Sequence, residues 1–158
     1  MKMGSSSLRD LARLTDARSM RASSWDRTGG NDDRLHIAPG ATATLMEYDG
    51  AGCITHIWTT IACKDPFHFR KLVLRMYWDG SETPCVEAPV GDFFGLGHSQ
   101  RAYFTSLPLQ FTDRALNCWF PMPFASHARI TVTNESEEPA IYYYYVDFEA
   151  YDRLDDAD

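Results

Sequence analysis

The sequence contains no apolar run close to the roughly 20 residues that span a bilayer, and its N-terminus has no apolar core of the kind that marks a secretory signal. Basic residues are outnumbered: there are 15 lysines and arginines but 22 aspartates and glutamates, which gives a formal net charge of -7. This acidic balance does not suit a nucleic-acid surface. We therefore expect neither a membrane nor a nucleic-acid partner, and we predict a cytoplasmic location.

Cysteine is also scarce, and the four residues lie too far apart for a CxxC metal-binding pair: Cys53, Cys63, Cys85 and Cys118. Each lies in an apolar, strand-like context, which is typical of buried free thiols. A zinc site built from these cysteines and some of the five histidines is the less favoured alternative, because no pair shows the spacing of zinc ligands. We predict no metal site and no cofactor.

What the sequence does contain is a chain of 158 residues, 44% hydrophobic and 13% aromatic, which suits one globular domain with a sizeable core. From residue 35 onward, β-branched and aromatic residues dominate runs separated by turn signals such as Asp79-Gly80. We predict strands at residues 41–48, 53–63, 70–78, 101–107, 116–124, 127–134 and 140–150. A further short strand brings the count to about eight, and no helices alternate with the strands. This pattern predicts an all-β fold, a single antiparallel jelly-roll sandwich.

The last two strands, at residues 127–134 and 140–150, are expected to pair across residues 135–139. In the final strand, one face carries Tyr142, Tyr144, Val146 and Phe148, and the other carries Tyr143, Tyr145, Asp147 and Glu149. Because both faces are aromatic, we expect both to be covered. One cover is the opposite sheet, and the other is a helix, a second domain or another subunit.

The stretch at residues 84–98, PCVEAPVGDFFGLGH, mixes two prolines, three glycines and two carboxylates with apolar residues. Proline lacks a ladder donor and glycine weakens strand interiors, so we predict a short strand that opens into a shaped loop. Two interpretations of this loop stay open. It is either a loop that carries functional groups on a sheet scaffold or an irregular corner of the sandwich.

Near the N-terminus, residues 5–21 place Leu8, Leu11, Ala12 and Leu14 near helical spacing behind serines suited to an N-cap. This pattern predicts one short amphipathic helix that packs across a sheet edge or a neighbouring subunit. We accordingly divide the chain into a helical segment at residues 1–22, the jelly-roll domain at residues 23–150 and an acidic tail at residues 151–158.

A loop is predicted at residues 23–33, SSWDRTGGNDD, which has no hydrophobic periodicity. Its tryptophan can stack on the C–H face of a sugar ring, while its aspartates, asparagine and arginine can bind hydroxyl groups. The same residues also suit an Asx-rich turn with solvated charge. A calcium loop is a third option, but the aspartate spacing does not fit an EF-hand.

Six segments of this chain occur in the order found in glycoside hydrolase family 172: SSWDRTGGNDD, ITHIW, LVLRMYWDG, VEAPVGDFFGLGH, LNCWFPMPF and YYYVDFE. From residue 8 to residue 149 the sequence resembles the N-terminal half of that family. The resemblance implies furanosides as the carbohydrate partner, either fructofuranosides, including difructose dianhydride, or D-arabinofuranosides. It also implies two successive jelly rolls and assembly as a homo-oligomer, a trimer or a multiple of trimers.

The family's hydrolysis is retaining and uses two glutamates of the second jelly roll, in a Glu-Gly-Asp segment and a Gly-Thr-Gly-Thr-Glu-Asp segment. Neither segment is present in these 158 residues. We therefore expect no catalytic residue in this chain and no activity of the chain alone. Three interpretations stay open: a truncated product, one subunit of a split enzyme, and a single jelly roll retained for binding or assembly. Glu87 and Asp92 lie five positions apart in a segment that begins extended, and we assign them structural or substrate-positioning roles.

Two possible functions follow from this resemblance and from the absence of the family's two glutamate segments. The favoured one is the N-terminal jelly roll of a furanoside-cleaving glycoside hydrolase, contributing substrate contacts and an oligomer interface. The alternative is a non-catalytic single jelly roll for carbohydrate binding or assembly. In both, the residues expected to contact sugar are Trp25, Asp26, Asn31, Asp32 and Asp33, with Asp92 and His98 as nearby candidates.

Overall fold

The computed structural model describes residues 16–153, which form twelve strands and two one-turn helices. The strands are β1 (Arg18–Ser23), β2 (Leu35–Ile37), β3 (Thr42–Asp49), β4 (Ala51–Cys63), β5 (Leu72–Trp78), β6 (Val86–Pro89), β7 (Phe104–Thr105), β8 (Leu109–Thr112), β9 (Ala115–Cys118), β10 (Met122–Phe124), β11 (His127–Asn134) and β12 (Ala140–Tyr151). The helices are α1 (His68–Lys71) and α2 (Val90–Phe93), and a 3-10 turn follows at Gly97–Ser99. No helix within residues 16–153 is long and apolar enough to cross a membrane.

Two antiparallel sheets make up the fold. The larger has the order β1-β12-β4-β9-β8-β7, with β2 also paired to β12 and β10 also paired to β4. The smaller has the order β3-β11-β5-β6. This sandwich confirms the predicted all-β fold class.

The core lies between the sheets, where every second residue of the central strands is buried. β12 contributes Tyr142, Tyr144, Val146 and Phe148, and the facing strands contribute Leu74, Met76, Ile130 and Val132. Fully burying a side chain of this size contributes about 1.5–3 kcal/mol relative to leaving it exposed. Because the inner face of β12 is used in this way, the alternate residues of the same strand lie on the outside of the sandwich.

The predicted helix at residues 5–21 is wrong where the structure tests it, because residues 18–23 form β1. This strand pairs along its whole length with β12, from Arg18 opposite Ala150 to Ser23 opposite Tyr145. The ladder supplies backbone hydrogen bonds along the edge of β12, and this pairing holds residues 18–23 as a strand. Residues 5–15 of the predicted helix lie outside the described residues, and so do residues 154–158 of the acidic tail, while Tyr151 still belongs to β12.

The predicted pairing of the last two strands is also wrong, because β11 belongs to the smaller sheet and β12 to the larger one. The fully buried Asn134 explains the crossing between sheets. Its Nδ2 donates to the carbonyls of Ile37 and Glu138, and its Oδ1 accepts from the backbone N–H and hydroxyl of Ser136. This network folds residues 135–139 into a connection between layers.

The expected count of about eight strands falls short of the twelve found. The segment LNCWFPMPF was expected to be one interrupted strand, and it forms β9 and β10, which both pair with β4. The break at residues 119–121 lies beside a β-bulge of β4, where Asp147 pairs with His56 but Phe148 pairs with Ile54. The expectation of four buried thiols is also wrong, since only Cys118 is buried, Cys53 and Cys63 are partly exposed, and Cys85, in the loop before β6, is exposed.

The stretch at residues 84–98 is a short strand that opens into a shaped loop, as predicted. Its apolar side chains Val90, Phe94 and Leu96 are fully buried, and Gly91 packs against Phe69 of α1. The 3-10 turn that follows holds His98 and Ser99 at positive φ. This stretch therefore closes one corner of the core.

Candidate functional site

The outer face of the larger sheet carries a row of aromatic and polar side chains. Along β12 these are Tyr143, Tyr145, Asp147 and Glu149. The register with β4 places Trp58 beside Tyr145 and His56 beside Asp147. The rings of Trp58 and Tyr145 stack with centroids 4.8 Å apart and planes 24° from parallel.

A cavity of about 210 Å³ opens on this face, and it is lined by Ser24, Trp25, Asp33, Trp58, Tyr143 and Tyr145. Trp25 is 56% exposed. The guanidinium of Arg27 lies 5.8 Å from its ring centroid. The cavity thus combines aromatic planes with hydroxyl and carboxylate groups.

Ser24 joins the loop to the sheet. Its hydroxyl donates to the carbonyl of Asp33 at 2.8 Å and accepts from the N–H of Tyr144 at 3.1 Å. The carboxylate of Asp33 accepts from the N–H of Asp26 at 2.7 Å. Both ends of the loop are therefore held together at the edge of β12, with Trp25 directly beside the junction.

Asp26 organises the interior of the loop. Its Oδ1 accepts from both the backbone N–H and the hydroxyl of Thr28, and its Oδ2 accepts from the N–H of Asp32. These bonds, the one from the Thr28 hydroxyl first, lower the pKa of Asp26 below the usual range of an aspartate. Asn31 takes a positive φ of 61°, which asparagine tolerates in turns. Asp26 and Asn31 therefore shape the loop and do not line the cavity.

Asp32 acts through a neighbour. Its carboxylate binds Arg34 at 2.5 Å and lies 3.7 Å from Nε2 of His36. Arg34 in turn donates to the hydroxyl of Tyr143 at 3.4 Å. Asp32 is thus a positioning group for one wall of the cavity. Of the five loop residues predicted to contact sugar, Trp25 and Asp33 line the cavity.

Asp92 and His98 belong to a different part of the fold, and neither lines the cavity. Asp92, on α2, accepts a hydrogen bond from Arg70 of α1. Glu87, on β6, pairs with Arg75 of β5. The two carboxylates thus have separate arginine partners, and the structural or substrate-positioning roles expected of them stay predictions. His98 is exposed in the 3-10 turn.

A polar cluster next to the cavity was not predicted from the sequence. Arg21 binds Asp147 through two hydrogen bonds of 2.5 and 3.1 Å, and Nδ1 of His56 lies 3.2 Å from the same carboxylate. Nε2 of His56 lies 3.2 Å from Oδ1 of Asn117. Trp119 stacks on the His56 ring with centroids 5.1 Å apart and planes 11° from parallel.

Asp147 is ionised in this cluster over the ordinary pH range. Partial burial acts to raise its pKa, but hydrogen bonds from Arg21 and His56 outweigh burial and the pKa lies below that of a free aspartate. Alternation along β12 and β4 indicates that Asp147 and His56 each lie on an outer face. Their contact depends on the register between two strands and joins residues 91 positions apart in the sequence, and no local pattern gives that register.

The described residues 16–153 contain no group of three or more histidine, cysteine, aspartate or glutamate side chains that could hold a metal ion. The groups present on this face are aromatic planes, hydroxyls, carboxylates and the guanidinium groups of Arg21, Arg27 and Arg34.

A family model described as GH172 domain-like matches residues 29–142. No curated protein matches the sequence. The matched range begins inside the loop that carries Trp25 and ends at Tyr142, so it includes Asp33 and Trp58 of the cavity and most of both sheets.

Proposed function

The chain belongs to the GH172 domain-like family, and on that premise we propose that it is a jelly roll of a furanoside-acting glycoside hydrolase that binds sugar in the cavity beside Trp25. The observation that carries the proposal is the composition of that cavity. Its aromatic planes of Trp25, Trp58 and Tyr145 lie beside the polar groups of Ser24, Asp33 and Tyr143. A family that acts on glycosides implies a carbohydrate ligand in general, and furanosides are our proposal.

Each part of the cavity suits one part of a sugar. The C–H face of a furanose ring packs on an indole plane, and its hydroxyls donate to the Asp33 carboxylate or bond the Tyr143 hydroxyl. The loop network built on Ser24 and Asp26 fixes these groups before the ligand arrives. Preorganised groups lose little entropy on binding. We therefore expect this cavity to bind a single sugar ring although its contact area is small.

The catalytic glutamates are proposed to come from a second jelly roll, since neither glutamate segment of family 172 occurs in this sequence. Within this chain, Glu87 and Asp92 form ion pairs with separate arginines. We expect the 158-residue chain to bind furanosides without cleaving them. Turnover on adding a second jelly roll with the two glutamate segments supports the hydrolase, and binding without turnover in that mixture favours the non-catalytic alternative.

We also propose that the chain works as a homo-oligomer or against a second jelly-roll domain. Support comes from Tyr103 and Leu107, large side chains that are mostly exposed in the segment around β7. Exposed apolar groups of this size mark interaction surfaces when they cluster. Light scattering on the wild type and on Leu107→Asp tests this, with a lower mass expected for the variant. A monomeric wild type at tens of micromolar, roughly, contradicts self-association.

The sugar-binding proposal is tested by titrating methyl D-arabinofuranoside and methyl D-fructofuranoside against wild type and Trp25→Ala. Loss of a desolvated stacking contact is expected to weaken binding about five- to hundredfold. Phe67→Ala is the matched control, because Phe67 is 58% exposed, close to the 56% of Trp25, and does not line the cavity. Its affinity is expected to equal that of the wild type.

Equal affinities in wild type, Trp25→Ala and Phe67→Ala, with folding verified by circular dichroism, contradict the proposal. That result assigns the loop to structure alone. A loss of affinity in both variants contradicts it as well, since the effect is then not specific to the cavity.

A further inference from the structure

We propose that the outer sheet face holds a second sugar unit next to the first, between Arg21 and Trp119 and against His56, so that the ligand is a disaccharide or a longer chain. This inference rests on the proposed sugar binding in the Trp25 cavity. It assigns a ligand-binding role to the polar cluster of Arg21, His56, Asn117 and Asp147.

The distance between the two places fits adjacent sugar units. His56 and Trp58 are two residues apart on one face of β4, and Tyr145 and Asp147 are two apart on β12. Side chains two residues apart on a strand are separated by about 7 Å. The cluster therefore begins one residue pair beyond the cavity wall. Arg21 connects the two, since its guanidinium lies 4.4 Å from the Tyr145 ring centroid and also binds Asp147.

The cluster keeps binding capacity after its internal bonds are made. An arginine has five N–H donors, and Arg21 uses two of them on Asp147, which leaves three. Its side chain is 54% exposed, and those of His56 and Asp147 are each 24% exposed. The carboxylate is ionised, and Arg21 and His56 use three of its roughly four accepting positions, which leaves about one. Sugar hydroxyls can therefore bind here by both donating and accepting.

Trp119 supplies the stacking plane. One side of its indole lies against His56, and 41% of the residue remains exposed. Its backbone N–H donates to the carbonyl of Pro108 at 2.8 Å, which fixes the main chain at the break between β9 and β10. A further indole thus lies beside charged and amide groups, just as the indoles of the Trp25 cavity lie beside a carboxylate and hydroxyls.

The test compares one-ring with two-ring probes. Methyl D-arabinofuranoside is paired with the D-arabinofuranosyl disaccharide, and methyl D-fructofuranoside with difructose dianhydride. Trp119→Ala is expected to weaken binding of a disaccharide about five- to fiftyfold and to leave the one-ring probes unchanged. The matched control is Phe120→Ala, because Phe120 is the adjacent residue, is 46% exposed and has no place in the cluster. Arg21→Gln, at an exposed edge-strand position, is the second variant and is expected to behave as Trp119→Ala does.

The outcomes separate this inference from the proposal beneath it. If one-ring probes bind and neither Trp119→Ala nor Arg21→Gln discriminates against disaccharides, the second subsite is contradicted and the first stands. If only disaccharides bind, and their binding depends on Trp119 but not on Trp25, the cavity proposal is contradicted, and with it the inference of two adjacent subsites. If no probe binds to the wild type, both are contradicted.

Discussion

The loop at residues 24–33 and the stretch at residues 84–98 both combine glycine, aspartate and aromatic side chains, and they lie in opposite environments. In the first, Trp25 and Asp33 are exposed and line an open cavity. In the second, Val90, Phe94 and Leu96 are fully buried at a corner of the core. The difference comes from the residues around the glycines, which are mostly charged or polar in the loop and mostly apolar in the stretch.

The glycines of the two segments also serve different ends. Gly29 takes a positive φ of 77°, and a Cβ added there meets nothing within 4 Å. A Cβ on Gly91 would lie 2.8 Å from Cβ of Phe69 and 3.0 Å from the carbonyl oxygen of Leu96. Gly29 thus reverses the chain in the loop, and Gly91 permits close packing in the stretch. Similar composition therefore indicates a binding surface in one case and a packed corner in the other.

The largest expected effect that tests this contrast is on stability. Phe94→Ala removes a fully buried ring and should lower the free energy of unfolding by about 3–5 kcal/mol. Trp25→Ala removes a ring that is mostly in solvent and should change it by about 0.5 kcal/mol or less. Urea denaturation followed by circular dichroism measures both. Similar losses of stability in the two variants would show that the loop also carries core packing.

A smaller effect is expected within the stretch itself. Gly91→Ala forces a methyl group against Phe69 and two backbone carbonyls, which should cost about 1–3 kcal/mol. Gly97→Ala is the control in the same stretch, because a Cβ there meets nothing within 4 Å, and its cost should stay within about 0.5 kcal/mol. The urea midpoints of the two variants give the comparison. Equal midpoints would remove close packing as the reason for glycine at position 91.

Much of the fold follows from sequence periodicity. The bounds predicted for β11 coincide with those found, and the inner and outer faces of β12 follow from its alternation of residues. β1 and the separation of β11 from β12 depend instead on contacts that are distant in sequence. Residues Arg18–Ser23 pair with the edge of β12. Asn134 stabilises the connection between the two sheets through four hydrogen bonds. Neither interaction leaves a local pattern.

The candidate site was predictable where one segment carries it. Trp25 and Asp33 were identified because a tryptophan among carboxylates and glycines suits a sugar-binding loop. The polar cluster was missed because Arg21, His56 and Asp147 come from three strands, and their meeting depends on the β4 bulge and on the pairing of β1. Asp92 and His98 stay predictions, and their separation from the cavity is a matter of sheet topology that composition does not reveal.

Acidification is expected to open the loop before it affects the core. The pKa of Asp26 is lowered, first by the Thr28 hydroxyl and then by backbone N–H groups, so the ionised form is favoured in the folded loop. Its contribution is fully present above the ordinary aspartate pKa of about 3.9 and is lost as the pH falls through the lowered value. Titration of methyl D-arabinofuranoside should therefore give a constant affinity from pH 7 to about pH 4.5 and a decline at lower pH.

The variant Asp26→Asn isolates this group. It keeps one accepting oxygen for Thr28 but carries no charge, so it should bind more weakly at pH 7 and lose part of the decline at low pH. An unchanged profile in the variant would show that Asp26 does not control the loop.

The smallest effect is expected for Asp92, and it separates the two regions most directly. The Arg70–Asp92 pair is partly open to solvent, with side chains 51% and 29% exposed, so its contribution to stability is about 0–1 kcal/mol. Asp92→Asn should leave both stability and furanoside affinity close to those of the wild type. Asp33→Asn, the same isosteric change at the cavity wall, should weaken binding about five- to hundredfold, because the charged acceptor beside Trp25 is lost. Isothermal titration with methyl D-arabinofuranoside compares the pair. Equal losses of affinity would place Asp92 in the same site as Asp33, and an affinity lost only in Asp92→Asn would move the site to the stretch at residues 84–98.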